Sequence, residues 1–171
     1  MCVLVLAACT GSAPSRASAV CAGVDAPEGV VCRFYQVYLE TRPVGLPTPE
    51  QERLLAPYLT TALLSRIDEA RGYREGFEAQ HPDEKPPFVD GTLFTSLFEG
   101  ADRFEIVRSE PTANGGAVVT VRFGYDDVKP WEDAVVVTRD GTRYAIDDIV
   151  FAGVGEFNPA GRLTEVLSWR D

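Results

Sequence analysis

The stretch that decides the fold runs from Phe104 to Phe151 and contains, in order, FEIVRSEP, AVVTVRFGY, DAVVVTRDG and TRYAIDDIVF. Each run is short, is rich in Val, Ile, Phe and Tyr, and is bounded by Gly, Asn, Asp or Pro, as β-strands are. Because only turns separate the runs, we expect three or four consecutive antiparallel strands. The pair Asp140-Gly141 between the last two runs favours a tight hairpin.

Helix signals dominate the chain before these strands. Pro27, in a first turn that Asp25 can cap, predicts a helix that ends before Pro43. The sequence Thr48-Pro49-Glu50-Gln51 begins a second helix with a cap, a first-turn proline and a glutamine at the third position. Pro57 is expected to break this helix, because a proline in a helix interior removes a hydrogen bond and clashes with the preceding turn.

A third helix is expected to follow Pro57 and to end at Gly72. Residues 73–90 are polar and Pro-rich and read as a loop, and the glycine-fenced segment 91–100 reads as a short helical turn packed under the sheet. After the strands, a terminal helix should place Leu163, Val166 and Leu167 on one side. The sequence therefore predicts an α+β fold, with N-terminal helices packed on a curved antiparallel sheet and a short C-terminal helix.

Composition narrows the class of protein. The chain has 171 residues, which suits one domain, and its 45% apolar and 10% aromatic content is that of a folded protein. Its 16 basic and 26 acidic residues give a formal net charge of -10. A phosphate backbone would be repelled by such a chain, so we expect no nucleic acid partner.

The N-terminal run MCVLVLAAC is apolar but too short to span a bilayer. Its end, Leu6-Ala7-Ala8-Cys9, resembles a bacterial lipobox, which implies that Cys9 is lipidated after signal cleavage. No positively charged segment precedes the run, so either the true start lies upstream, which we favour, or the match is accidental. The interpretation divides the chain into a signal, a flexible tether and one domain, at residues 1–8, 9–25 and 26–171.

Two further cysteines lie beyond this run. Cys21 falls in the tether and Cys32 on the first predicted helix. Leftover cysteines in an exported chain most simply pair with each other, so we expect a disulfide between them. The alternative is a buried, free Cys32 with Cys21 unpaired.

Four motifs, in this order, resemble the DUF3828 group of bacterial exported proteins, which belongs to the NTF2-like superfamily. They are Phe34-Tyr35-x-x-Tyr38-Leu39, Ala56-Pro57-Tyr58-Leu59-Thr60, Gly91-x-Leu93-Phe94-Thr95-Ser96-Leu97-Phe98-Glu99-Gly100 and Ile146-Asp147-Asp148-Ile149. The similarity covers the chain from Val30 to Trp169. It implies a cone of helices closed over a bent sheet, and it implies no particular activity.

Most catalytic signatures are missing from the sequence. The one histidine, His81, cannot build a His-based triad or a His-rich zinc site by itself. There is no phosphate-binding loop, and the pairs Asp126-Asp127 and Asp147-Asp148 lack the spacing of a calcium-binding loop. We therefore expect neither a metal nor a cofactor, and we lean against an enzyme.

The pair Asp147-Asp148 is the weak catalytic candidate that remains. On each face of the last predicted strand, one aspartate lies among apolar residues. One of the two carboxylates must therefore point into an apolar layer, unless a bulge intervenes. Burial there would raise its pKa and let it act as a base near neutrality. The favoured alternative is structural, in which the carboxylate pairs with an arginine such as Arg33 or Arg143, or accepts backbone N–H bonds.

Aromatic side chains could line a ligand cavity inside such a cone, with tyrosine hydroxyls as polar contacts. The alternative is that they are ordinary core. The pocket candidates are Tyr35, Tyr38, Phe94, Phe98, Phe123, Tyr125 and Asp147.

Three functions are compatible with these observations. We favour a non-enzymatic, lipid-anchored module of the bacterial cell envelope that faces the periplasm or the cell exterior and binds a small ligand or an envelope protein. The second hypothesis is a small-molecule isomerase, dehydratase or hydrolase that uses a cavity aspartate, and the third is an envelope inhibitor or immunity protein with an acidic binding surface. The expected partners of the protein also include the membrane, through the lipid on Cys9, and a second copy of the chain, through the sheet.

Overall fold

The computed structural model describes Cys21, Gly23, residues 25–154 and residues 160–170. The predicted signal, the lipidation at Cys9 and most of the tether lie outside these residues. Within the described ranges, no helix has the length and apolar character needed to cross a membrane.

Helices come first and strands follow, as the α+β prediction requires. The helices are α1 (Pro27–Thr41), α2 (Pro49–Leu55), a 3₁₀ turn (Ala56–Tyr58), α3 (Thr61–Gln80) and, at the end of the chain, α4 (Leu163–Leu167). The strands are β1 (Arg103–Pro111), β2 (Ala117–Tyr125), β3 (Val128–Asp140), β4 (Arg143–Phe151) and β5 (Gly161–Arg162).

The five strands form one antiparallel sheet in which spatial order equals chain order, β1-β2-β3-β4-β5. The predicted hairpin is confirmed, because Asp140 pairs with Arg143 across the two-residue loop Gly141-Thr142. Gly141 has a φ of 65°, a conformation that glycine adopts without steric cost.

The core lies between the helices and the inner face of the sheet. Helix α1 packs across β1, β2, β3 and β4, and its Val31, Phe34 and Tyr35 have no exposed surface. On β3 the buried positions alternate with half-buried ones, so one face of the strand points inward. The inward residues are Trp131, Asp133, Val135 and Val137.

The predicted helix starts were mostly right. Thr48 and Gln51 form the expected capping box on α2, with the Thr48 N–H donating to Gln51 Oε1 over 2.9 Å. The 3₁₀ turn containing Pro57 separates α2 from α3, as a proline in that position should. The expected cap at Asp25 is wrong, because Ala26 occupies the cap position of α1 and no side chain caps it.

The disulfide between Cys21 and Cys32 is present, with the two Cα atoms 5.5 Å apart. It joins the chain before α1 to the second turn of that helix. The alternative of two free cysteines is thereby excluded.

The prediction that α3 ends at Gly72 is wrong, because the helix continues to Gln80. Gly72 is exposed and has no neighbouring atom within 4 Å of where a Cβ would stand. An exposed glycine costs a helix only about 1 kcal/mol, and the ion pairs from Arg71 to Glu52 and from Arg74 to Glu78 flank it. A glycine alone was therefore too weak a stop signal.

Two other local predictions need correction. Segment 91–100 forms turns and bends, not a helical turn, and the glycines at its two ends both adopt positive φ angles. In α4, Leu163 and Leu167 are buried, but Val166 is 38% exposed and does not share their side.

Candidate functional site

The aromatic residues expected to line a cavity are packed against one another. The ring centroid of Tyr35 lies 4.8 Å from that of Phe123, and Phe94 lies 5.3 Å from Phe34. The Tyr35 hydroxyl donates to the Phe94 carbonyl over 2.9 Å. Burial, and then the charge of Asp133, raises the pKa of Tyr35 well above its usual value. Tyr35, Phe94 and Phe123 are core, which was the alternative to a cavity wall.

Of the other aromatic candidates, Tyr38 is buried, Tyr125 is half-buried and Phe98 is exposed. The Tyr38 hydroxyl accepts hydrogen bonds from Thr92 Oγ1 over 3.2 Å and from the Ala101 N–H over 3.3 Å. Tyr125 is half-buried at the end of β2 and packs against the core. Phe98 points outward and is 47% exposed. The structure therefore does not gather the seven candidates around one space.

Asp148 is buried and fully engaged in hydrogen bonds. Its carboxylate accepts from Arg162 Nε over 2.7 Å, and also from the Thr164 N–H over 3.1 Å and the Thr164 hydroxyl over 3.0 Å. The Ile149 N–H donates to the same group over 2.9 Å. Because Thr164 lies in the first turn of α4, a carboxylate from β4 caps a helix that lacks a cap of its own.

The structural interpretation of Asp148 thus agrees with its contacts, but the expected arginines were wrong. Arg162 is the partner. Arg143 instead donates to the Pro57 and Leu59 carbonyls, over 2.8 and 2.7 Å, and pairs with Asp140 over 2.8 Å.

Asp147 lies at a shift in the register between β3 and β4. Val136 pairs with Asp148 and Val137 with Ile146, so Asp147 falls between two paired residues. This bulge lets Ile146 and Ile149 both face the core. The Asp147 carboxylate accepts from the Thr60 hydroxyl over 2.9 Å, and Thr60 Oγ1 in turn caps α3 by accepting the Leu63 N–H over 3.0 Å. Asp147 therefore orients the cap of a helix.

Asp133 is the buried carboxylate that the sequence reasoning missed. It accepts hydrogen bonds from the Ser96 N–H over 2.8 Å, the Ser96 hydroxyl, Trp131 Nε1 over 3.3 Å and the Ala152 N–H over 3.1 Å. All four donors are uncharged. Burial raises the pKa of the Asp133 carboxyl, against the opposing effect of these hydrogen bonds.

The alternation of β3 carried the signal for Asp133, since an aspartate two residues from Trp131 and two from Val135 must share their buried face. The Ser96 hydroxyl also accepts the Gly153 N–H over 3.4 Å. Ser96 is buried, and its hydroxyl hydrogen bonds directly to a carboxylate without a histidine between them. The cluster therefore fastens segment 91–100 and the residues that follow β4 to strand β3.

A surface groove lies beside segment 91–100, with a volume of about 370 Å³. We call it the Val44–Phe98 groove, after the two large apolar side chains that it exposes, by 66% and 47%. The residues that line it are Tyr38, Arg42, Pro43, Val44, Gly91, Thr92, Phe98, Glu99 and Ala101.

Backbone hydrogen bonds hold the two walls of this groove together. The Gly45 N–H donates to the Gly91 carbonyl over 2.7 Å, and the Leu46 N–H donates to the Phe88 carbonyl over 3.0 Å. A Cβ on Gly91 would lie 2.6 Å from the Phe98 ring, so glycine is what lets that ring lie against the backbone. The groove is thus preformed by the fold.

A smaller pocket of about 120 Å³ shares Thr92 with the groove. It reaches α4 at Val166, and its remaining lining residues are Leu93, Thr95, Ser96 and Phe151. Within the part of the chain that the structure describes, no group of three or more His, Cys, Asp or Glu side chains could hold a metal ion.

Comparisons with known proteins leave the fold without an assigned relative. No family model matches the chain, and neither a curated protein nor a solved structure matches it. The structure defines an α+β domain with a five-stranded antiparallel meander, and the resemblance to the NTF2-like cone stays a prediction.

Proposed function

We propose that this chain is a non-enzymatic protein-binding module of the bacterial cell envelope, held at the membrane by a lipid on Cys9, and that it binds an envelope protein through the Val44–Phe98 groove. The observation that carries the proposal is the preformed groove with its two exposed apolar side chains. Tyr35, Phe94 and Phe123 were expected to line a cavity but instead pack in the core, which favours a protein partner over a small ligand.

The groove has the composition of a protein interface. Its lining combines the exposed apolar side chains of Val44 and Phe98 with two charged residues, Arg42 and Glu99. Protein interfaces are enriched in aromatic residues and in arginine, and both occur in this groove. The net charge of -10 would speed the approach of a partner with a basic surface. An inhibitor or immunity protein would be a special case of this proposal.

Site-specific photo-crosslinking in intact cells tests the proposal. A crosslinking amino acid at Val44 should give a discrete adduct, and the second change Phe98→Ser should abolish it. Leu54 supplies the matched control, because it is a large apolar residue on α2 that is 54% exposed and lies outside the groove. Equal adducts from positions 44 and 54, or adducts that persist with Phe98→Ser, would contradict the proposal.

The lipid anchor needs a separate experiment. Its support is the sequence Leu6-Ala7-Ala8-Cys9. Mass spectrometry of the membrane fraction should show a diacylglyceryl-type mass increment on the wild-type chain and none on Cys9→Ser. Equal masses in both, after correction for the substitution, would remove the anchor but leave the groove proposal standing.

Two other hypotheses have weaker support. An isomerase, dehydratase or hydrolase would need a free cavity carboxylate, whereas Asp147 and Asp148 both accept hydrogen bonds from helix starts. A homodimer through the sheet stays a prediction, which sedimentation at increasing protein concentration can test.

A further inference from the structure

The second half of α3 extends beyond the core. The last buried residue of this helix is Ala70, and no residue from Arg71 to Gln80 is buried. These ten residues add about 15 Å of helix at 1.5 Å per residue. Because these residues lie outside the core, core packing does not explain why this part of the helix carries aromatic side chains.

Tyr73, Phe77 and His81 follow one another at intervals of four residues, so they lie on one side of the helix and its end. The ring centroids of Tyr73 and Phe77 are 6.5 Å apart. Phe77 and His81 stack at 4.6 Å with 27° between their planes. We call this row the aromatic stripe.

A groove of about 540 Å³ runs along the aromatic stripe. It is larger than the Val44–Phe98 groove and shares no residue with it. Besides the three rings, its lining residues are Gly76, Gln80 and Glu84.

The chain itself places a cation on the aromatic stripe. The guanidinium carbon of Arg170 lies 4.6 Å from the centroid of the Tyr73 ring, within the range of a cation–π interaction. The same side chain donates to the Leu167 carbonyl over 2.9 Å, which holds it in place. One end of the stripe thus already interacts with a guanidinium group.

The other end of the groove carries a carboxylate. Glu84 Oε1 lies 3.2 Å from His81 Nδ1 and is mostly exposed. A carboxylate beside stacked aromatic faces suits a planar cation, which can stack on a ring and form paired hydrogen bonds to the acid. The net charge of -10 also favours a positively charged ligand.

We propose that this groove binds an arginine side chain of a partner polypeptide, with the guanidinium stacked on Phe77 and paired with Glu84. Arginine is preferred over lysine because its planar group stacks on aromatic rings and matches a carboxylate with two donors. The site is independent of the Val44–Phe98 groove, so either proposal can fail alone.

The test is a fluorescence anisotropy titration of a labelled hexa-arginine peptide at low salt. Phe77→Leu keeps an apolar side chain but removes the aromatic face, and Glu84→Gln removes the charge. Each change should weaken binding by about threefold or more, the range of a cation–π contact or a partly exposed ion pair. Glu75→Gln is the matched control, because Glu75 is an exposed acid on the same helix outside the groove.

Hexalysine provides the comparison that separates stacking from simple charge attraction. It should bind more weakly than hexa-arginine and respond little to Phe77→Leu. The proposal is overturned if hexa-arginine does not saturate, if Glu75→Gln and Glu84→Gln weaken binding equally, or if Phe77→Leu has no effect. Melting curves by circular dichroism check that the variants fold.

Discussion

Ser96 donates two hydrogen bonds to Asp133, one from its N–H and one from its hydroxyl, across a sequence separation of 37 residues. Asp133 is only 1% exposed and belongs to the inner face of β3. One carboxylate therefore fixes the position of segment 91–100, and the Val44–Phe98 groove that this segment builds depends on it.

Asp133→Asn should lower the free energy of unfolding by about 1–3 kcal/mol at pH 7, because the amide nitrogen would face donors that need an acceptor. The loss should also grow as the pH falls. Burial raises the pKa of Asp133 in the folded state, so the folded chain binds this proton more tightly than the unfolded chain. Ionisation of Asp133 therefore lowers stability as the pH rises through the window between the unfolded and folded pKa values.

Urea denaturation between pH 4 and pH 7 measures this effect as the difference between wild type and Asp133→Asn. The difference should be larger at pH 4. Asp127→Asn, in the exposed turn before β3, is the control. Parallel pH curves for wild type and Asp133→Asn would show that Asp133 is not the linked group.

Asp148→Asn should cost about 2–3 kcal/mol of stability, because it breaks an ion pair that is buried on the aspartate side and replaces one of two accepting oxygens with an amide nitrogen that cannot accept. Asp147→Asn should cost less, about 0.5–1 kcal/mol, since it weakens one hydrogen bond to Thr60. Urea denaturation of the two variants side by side compares neighbouring residues with the same chemical change. Equal losses would contradict the assignment of their roles.

Gly91→Ala and Gly72→Ala should have opposite effects. At Gly91 the φ is +62° and a Cβ would meet the Phe98 ring at 2.6 Å, so alanine should lower stability by about 1–2 kcal/mol. Gly72 lies in a helix with open space around it, so alanine should raise stability by about 0.5–1 kcal/mol. Thermal melting followed by circular dichroism checks both signs, and a gain at Gly91 would contradict the packing described here.

Reduction of the Cys21–Cys32 disulfide should lower the free energy of unfolding by about 1–3 kcal/mol, because it releases a closed loop in the unfolded chain. The cysteines are 11 residues apart. Unfolding in urea with and without a reductant measures the change, and the variant Cys21→Ser with Cys32→Ser should match the reduced wild type. A reductant effect that persists in this variant would have another origin.

The sequence predicted those parts of the fold whose signals are local. The strands, the hairpin at Gly141 and the capping box at Thr48 each depend on a few neighbouring residues, and all of them are present. The end of α3 was mispredicted because an exposed glycine such as Gly72 costs a helix only about 1 kcal/mol and does not by itself stop it.

The candidate site was less accessible to sequence reasoning, because its contacts join residues that are distant in sequence. The partner of Asp148 is Arg162, which reaches it only because β5 pairs with β4, and a two-residue strand leaves almost no pattern in a sequence. Asp133 was detectable from the alternation of β3, but its four donors come from three separate segments. The Val44–Phe98 groove depends on two loops that meet through backbone atoms, which side-chain patterns do not encode.

The order of the sheet has a consequence for folding as the chain is made. Each strand pairs only with its neighbours in sequence, so the meander can form one hairpin after another with short loop closures. Helix α1, however, is synthesised before β1 to β4, against which it buries its apolar residues. Until the strands are made, the apolar face of α1 stays exposed. A fragment that ends near residue 100, before β1, should therefore be a target for chaperones and proteases.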